Sequence, residues 1–382
     1  MLLRMRLNNF KSFKNSTEID LSTTNYKILK DTNVYNNDIL KGAIFVGGNA
    51  TGKTNIILAL RVLLDMIFSD KIINLGNYKC IFSNKFLIEL EYEFSIDEST
   101  IQYYISYDAR EKILVEKLYL NHDLVLDRIG SNAQSKITES ISYTDLDNDI
   151  LLLRTIYFNT KFNNFNILKR WFEFLSNSVY LDASQRIVLN NDKKLILNKY
   201  LDNNGPNEIN EFFKEYNFNQ QIEYSNQSSG SLVTLKINNE YSKEIFFKRD
   251  GINEPIPYEW ESLGNRNLIN MLPAFFKVVK NGGMLIIDEF SSAFHNELER
   301  LLIKYFMNNS KNSQIFIVSH STNLLSNSIF RPDQEYSVEF SQSGSIINRF
   351  SNDKPREAQN IEKMYNSGCF GGKPNYKPEY IW

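Results

Sequence analysis

The sequence predicts an α/β protein: a core of mixed β-sheet and helices, an antiparallel β subdomain added to it, and a largely helical middle insertion. Three observations point there. Short, wholly apolar runs stand at 43–46, 284–287 and 315–318, the pattern of strands buried on both faces. Stretches with helical spacing of apolar residues follow the first two runs. Between those two, residues 86–121 break into β-branched and aromatic segments separated by turn residues, which reads as an antiparallel meander.

Taken in order, residues 2–10 alternate and read as a first strand, 12–21 as a second, and the polar stretch 25–38 as a loop. The strand at 43–46 leads into a helix at 54–68, where Ile57, Leu60, Leu64 and Ile67 fall at helical spacing. Meander strands follow at 86–96, 101–108 and 113–121. From 131 to 219 the pattern turns helical and less regular. It is clearest at 147–155, 165–175, 193–201 and 208–216, with Gly205-Pro206 as a break. A hairpin is expected from 232–238 and 241–249, around Asn239-Glu240. A second αβ segment follows, with helix 262–280, strand 284–287, helix 296–306, strand 315–318 and a helix starting at 322–326. The expected division is a first lobe at 1–130, a mainly helical insertion at 131–225, a second lobe at 226–350 and a tail at 351–382.

The chain has 382 residues, enough for one large domain with insertions or two moderate ones. A formal net charge of −2 excludes a global basic field that would draw in nucleic acid, and leaves local patches open. The two cysteines, Cys80 and Cys369, are far apart and form no metal-like spacing, which fits a reducing, cytoplasmic compartment. Charges in the first dozen residues break the apolar core a signal peptide needs. No stretch reaches the roughly 18 apolar residues of a membrane span; the best candidate, 56–68, contains Arg61 and Asp65.

The stretch Gly47-Gly48-Asn49-Ala50-Thr51-Gly52-Lys53-Thr54-Asn55 carries the chemistry. It matches G-x-x-x-x-G-K-[ST] behind a buried strand and ahead of a helix. Glycines let the backbone N–H groups curl inward onto phosphate oxygens, and the helix adds its positive end. Lys53 can reach the outer phosphates of a nucleoside triphosphate, and the Thr54 hydroxyl can ligate Mg²⁺. The apolar run 284–287 ends in Asp288 and Glu289. Asp288 is suited to hold Mg²⁺ through water, and Glu289 to orient and deprotonate an attacking water. The run 315–318 ends in Ser319-His320, where a histidine can sense the last phosphate, or cap a helix. Glu261-Ser262-Leu263-Gly264-Asn265-Arg266 opens a helix. Ser262 and Gly264 there form either a second anion site, which would close on a partner subunit's nucleotide, or a plain helix cap.

With those four motifs in order, the chain resembles the ABC-type ATPases of the overcoming-lysogenization-defect, RecF and structural-maintenance-of-chromosomes kind. It is most similar to the AAA-domain ATPases of abortive-infection, anti-phage systems of the AbiL/RloA type. The resemblance covers nearly the whole chain and implies an ABC-ATPase-like P-loop NTPase core. Gly47 to Asn55 resembles the Walker A segment, with Ala50 where many members have glycine, and implies ATP contacts from Gly47, Asn49, Gly52, Lys53, Thr54 and Asn55. Glu261 to Arg266 resembles the signature, Asp288-Glu289 the Walker B strand with its catalytic glutamate, Ser291 to His295 the D-loop, and Ser319-His320-Ser321 the switch segment. Leu263 and Asn265 depart from the usual signature, and no glutamine can be placed as the glutamine loop. Lys11, in Arg6-Leu7-Asn8-Asn9-Phe10-Lys11-Ser12-Phe13, stands where relatives carry a basic residue near phosphate; a solvated charge is the other reading. His295 reads as structural, with a role across a dimer interface as the other reading, and His122 as a surface residue. The ending from Arg356 through Ile361–Tyr365 to Pro374 resembles this subfamily's usual tail and reads as a structural helix plus turn.

The resemblance implies a cytoplasmic ATPase that uses ATP and Mg²⁺. Two copies would close head-to-tail around two nucleotides, with higher order left open, and switch a separate effector, a nuclease or toxin, in antiviral defence. The alternative is a DNA-repair or chromosome-organising ATPase, for which nucleic acid is the partner. A fused nuclease is disfavoured, because only about sixty residues follow His320, fewer than a catalytic domain needs. A transporter motor is disfavoured by the first strands and the large insertion, and no membrane partner is expected.

Overall fold

The computed structural model describes residues 1–36, 38–137, 139–183, 187–189, 195–225, 243–292 and 294–373. Its central sheet has the strand order Ile187–Leu189, Val179–Asp182, Gly283–Asp288, Ser313–Val318, Gly42–Val46, Glu335–Ser341, Gly344–Arg349. The five inner strands run parallel, and the two outer ones are antiparallel to their neighbours. The apolar runs read from the sequence are the middle of this sheet. Each alternates between two cores. Met284, Ile286, Phe316 and Val318 join one apolar cluster, while Leu285, Ile287, Ile315 and Ile317 join the other. A strand covered on both faces has no polar face to show, which is why these runs lack alternation.

A second, antiparallel sheet orders Ile141–Tyr143, Asn132–Ser135, Asp123–Ile129, Ile113–Leu120, Ser99–Asp108, Leu87–Ile96, Leu2–Asn8 and Thr17–Asp20. Its strands alternate buried and half-buried residues, as expected of a sheet with one packed face. That face covers the helix Lys53–Phe68, and Tyr92 donates its hydroxyl to the Ala59 carbonyl at 2.7 Å. The helix thus lies between the two sheets, with Ile56, Ile57, Ala59, Leu60, Val62, Leu63 and Ile67 buried. Its C-terminal end meets an aromatic nest: Phe68 stands edge-on to Tyr157 and Phe172, and Arg154 donates to the Ile67 carbonyl.

Residues 131–225 carry the helices Leu152–Thr160, Asn166–Ser176, Leu197–Asn204 and Asn207–Glu215. They also give strands to both sheets, which helical periodicity did not suggest. Of the expected hairpin, the first strand, the turn and residues 241–242 lie outside the described residues. Among the described residues Glu244–Lys248 pairs with Gln221–Ser225 and with Ile256–Pro257. The helix expected to start at 322–326 is only a 3₁₀ turn, Thr322–Leu324, after which the chain continues irregularly to the strand Glu335–Ser341. The expected tail helix is Ile361–Asn366.

Candidate functional site

Parallel pairing decides which residues meet. Asp182 is level with Asp288, Ile287 with Ile317, and Val318 with Phe45. Four strands therefore end on one edge of the sheet, and the chain segments that follow them converge there. Ligands of open α/β sheets bind at such carboxyl ends. The edge holds a cavity of about 810 Å³ lined by Asn49, Ala50, Thr51, Gly52, Lys53, Thr54, Asn55, Glu289 and His320.

The loop from Gly47 to Gly52 is held from below. A Cβ at Gly47 would lie 2.3 Å from the Val338 carbonyl oxygen, and one at Gly52 would lie 2.3 Å from Ser345 Oγ, so both positions exclude a side chain. Ser345 Oγ donates to the Thr51 carbonyl at 2.6 Å and lies 2.7 Å from Ser12 Oγ, whose hydroxyl it accepts. Ala50 adopts φ 60, a left-handed conformation that costs a non-glycine residue about 1 kcal/mol. Helix Lys53–Phe68 begins without a side-chain cap, leaving its positive end open to an anion. The Lys53 ammonium is buried and donates to the carbonyls of Gly47 at 3.1 Å and Gly48 at 2.6 Å. Burial lowers it to about 8, against the pull of Glu289 and Asp288.

Thr54 Oγ1 donates to Asp288 Oδ1 at 3.1 Å. The other carboxylate oxygen, Oδ2, accepts the Tyr180 hydroxyl at 3.3 Å. Burial raises the Asp288 carboxyl above its ordinary range; the Thr54 bond opposes the rise and the Glu289 charge adds to it. Glu289 sits at φ 55, a backbone conformation that costs a non-glycine residue about 1–3 kcal/mol and recurs at functional sites. Its Oε1 is 3.3 Å from His320 Nε2, and Ser291 Oγ accepts the His320 backbone N–H at 3.1 Å.

The cradle, the ammonium and the uncapped helix suit a polyphosphate, and the cavity is of ligand size. The Thr54 hydroxyl and Asp288 carboxylate form an oxygen donor set that suits a hard divalent cation such as Mg²⁺. Among the described residues no cluster of three or more His, Cys, Asp or Glu forms an all-protein metal cage, and Mg²⁺ seldom uses one. The carboxylate of Glu289 can accept a proton from water, and the His320 imidazole beside it can donate a hydrogen bond to a leaving phosphate.

Some expected residues stand elsewhere. Ser262 caps the helix Leu263–Asn281 through the Asn265 N–H, and neither it nor Gly264 lines the cavity. Asn55 does line it, with its amide nitrogen engaged by Ser12 Oγ at 2.8 Å. Lys11 is neither on the phosphate loop nor merely solvated: its ammonium caps the Asn77 carbonyl and lies over the Tyr78 ring. Its neighbour Ser12 reaches the loop instead. His295 caps the helix Asn296–Asn309, and His122 is exposed in a turn. Tyr180, Asp182, Ser12 and Ser345 belong to the site or its support and were not read from the sequence. Tyr180, Asp182 and Ser345 enter from distant strands and Ser12 from the turn after the first strand, and only a knowledge of the chain's path through the sheets would have revealed them.

The fold and site define an ABC-ATPase-like P-loop NTPase architecture. Residues 43–326 match the profile of the family described as "AAA domain, putative AbiEii toxin, Type IV TA system". The match spans well over half of the chain, and the chain belongs to that family. Among solved structures it is similar to an SmcHead bound to the C-winged helix domain of ScpA, with 12% identity, a TM-score of 0.51, and 91% of this chain and 96% of that one covered. It also aligns with the SMC head domain from Thermotoga maritima, at 15% identity and TM-score 0.48, covering 91% and 97%. A Pyrococcus furiosus Smc head with an extended coiled coil aligns at 13% identity and TM-score 0.44, covering 91% and 95%. No curated protein matches the chain. Among the described residues no helix is long and apolar enough to cross a membrane.

Proposed function

We propose that the chain hydrolyses ATP and uses the cycle as a switch that controls a separate effector in an abortive-infection, anti-phage system of the AbiL/RloA kind. The observation that carries the catalytic part is the convergence, around one cavity, of a buried lysine, a threonine–aspartate pair and a glutamate–histidine pair. In this reading Gly47, Asn49, Gly52, Lys53, Thr54 and Asn55 surround the triphosphate. The Lys53 ammonium leaves the carbonyls of Gly47 and Gly48 for phosphate oxygens. Thr54 and Asp288 would hold Mg²⁺, which when bound neutralises phosphate charge. Glu289 orients a water and takes its proton, and His320 donates to the outer phosphate and steadies Glu289.

Ser262 and Gly264, exposed or half-buried and not among the lining of their own chain's cavity, complete the site of a second copy in a head-to-tail dimer. The family's toxin–antitoxin description supports the defence role, and the ScpA-bound head of similar fold supports a protein partner. That same likeness favours a second reading, a DNA-organising ATPase; salt-dependent DNA binding by the purified protein would select it.

The test is a pair of variants. Lys53→Ala should abolish Mg·ATP binding in calorimetry, and retained tight binding would refute the placement of the phosphates. Glu289→Gln should bind ATP normally and turn over at least about 100-fold more slowly; unchanged turnover would mean that another base acts.

A further inference from the structure

We propose that the C-terminal segment from Ile361 to Gly372 is a positioning strap that ties the phosphate loop to the histidine-bearing switch segment. The idea rests on the ATPase reading for its purpose, but its geometry is independent of it. One end of the strap sits under the phosphate loop. The Gly372 carbonyl accepts two hydrogen bonds, from the Gly48 N–H at 3.1 Å and from the Tyr365 hydroxyl at 3.1 Å. The close approach needs glycine, because a Cβ on Gly372 would lie 2.9 Å from Ser337 Cβ. The Gly372 N–H donates to Glu339 Oε2 at 3.3 Å, and Ser337 and Asn348 both donate to the Phe370 carbonyl. Phe370 stacks on Phe350 with centroids 4.0 Å apart, so the segment is anchored in the second core.

The other end grips the switch. Glu362, in the helix Ile361–Asn366, accepts the Thr322 hydroxyl at 2.8 Å, two residues beyond His320. Tyr365 and Glu362 therefore stand on one short helix, one holding the loop and the other the switch.

The strap matters because of what Lys53 does. The peptide groups of Gly47 and Gly48 are pinned on their carbonyl side by the Lys53 ammonium and the Thr51 hydroxyl, and on their N–H side by Gly372. A polyphosphate that draws the ammonium away leaves the Gly372 contact as a principal anchor of the loop. The state of the loop is then felt at Thr322 through Tyr365, the helix and Glu362.

The test uses hydrogen–deuterium exchange on the full-length protein without nucleotide. Thr322→Val removes the hydroxyl at the switch end, and Thr322→Ser keeps it. The valine variant should speed exchange in the peptide covering 47–55 by about threefold, the scale of one hydrogen bond, and the serine variant should restore the wild-type rate. Tyr365→Phe should reciprocally speed exchange in the peptide covering 319–326. Acceleration confined to the neighbourhood of each substitution, or no acceleration, would overturn the strap. A wild-type protein that fails to turn over ATP would count against the proposed function and leave the exchange result decisive.

Discussion

Tyr180 illustrates how one side chain can hold a site together without touching the ligand. Its hydroxyl fixes the Asp288 oxygen that Thr54 leaves free, and the Arg61 guanidinium lies 5.0 Å from the centre of its ring. Removing an outer partner of a metal-binding carboxylate typically weakens metal affinity by about 10-fold or more. Tyr180→Phe should therefore raise the Mg²⁺ concentration for half-maximal ATP turnover by about that factor. An unchanged magnesium titration would show that the phenol only fills space. The phosphate loop, Asp288, Glu289 and His320 were legible in the sequence because each is a local pattern: a strand followed at once by its chemistry. Tyr180 was not, because 108 residues separate it from Asp288 and only sheet order joins them.

At the scale of elements, the helix Asn296–Asn309 buries a carboxylic acid. Glu299 is inaccessible, and neither of its oxygens meets a full hydrogen-bond partner among the described residues, with Ser321 of the switch segment giving only weak compensation. Burial raises it from 4.5 to about 7. Between those values the folded chain holds this proton more tightly than the unfolded chain does. Stability from this group is therefore intact below about pH 4.5, declines as pH rises towards 7, and stays reduced above it, by about 3 kcal/mol at full ionisation. Glu299→Gln should be more stable than wild type at pH 8 by up to that amount and nearly equal to it at pH 4.5, as read by urea unfolding at both values. Equal stability at pH 8 would mean that the carboxylate has a partner. The central strands at 43–46, 284–287 and 315–318 were readable from their unbroken apolarity. Val179–Asp182 was hidden directly behind a strongly amphipathic helix. Strands Asp123–Ile129, Asn132–Ser135 and Ile141–Tyr143 extend the meander with polar, partly exposed residues, too little apolar alternation to declare themselves.

At the scale of the whole molecule, the separation of Ser262 from the cavity makes a dimer testable by mixing. Ser262→Arg should keep nucleotide binding and lose turnover, and Lys53→Ala should lose both. Combined, the two inactive proteins should recover up to about a quarter of wild-type activity, because half of the random dimers would hold one intact composite site of two. No recovery would remove Ser262 from its partner's site. The sharing of residues 131–225 between two sheets was not legible in the sequence, since periodicity records what a segment buries and not against which neighbour.

The helix that follows the glycine-rich loop has 16 residues, and so runs about 24 Å before it ends at Phe68. Clamped between two sheets, it has little room to bend, and a small tilt at its charged beginning would arrive as a displacement among Tyr157 and Phe172 on the far rim. Arrival or departure of a phosphate would thus be legible, as a mechanical signal, on a side of the molecule that never meets the nucleotide.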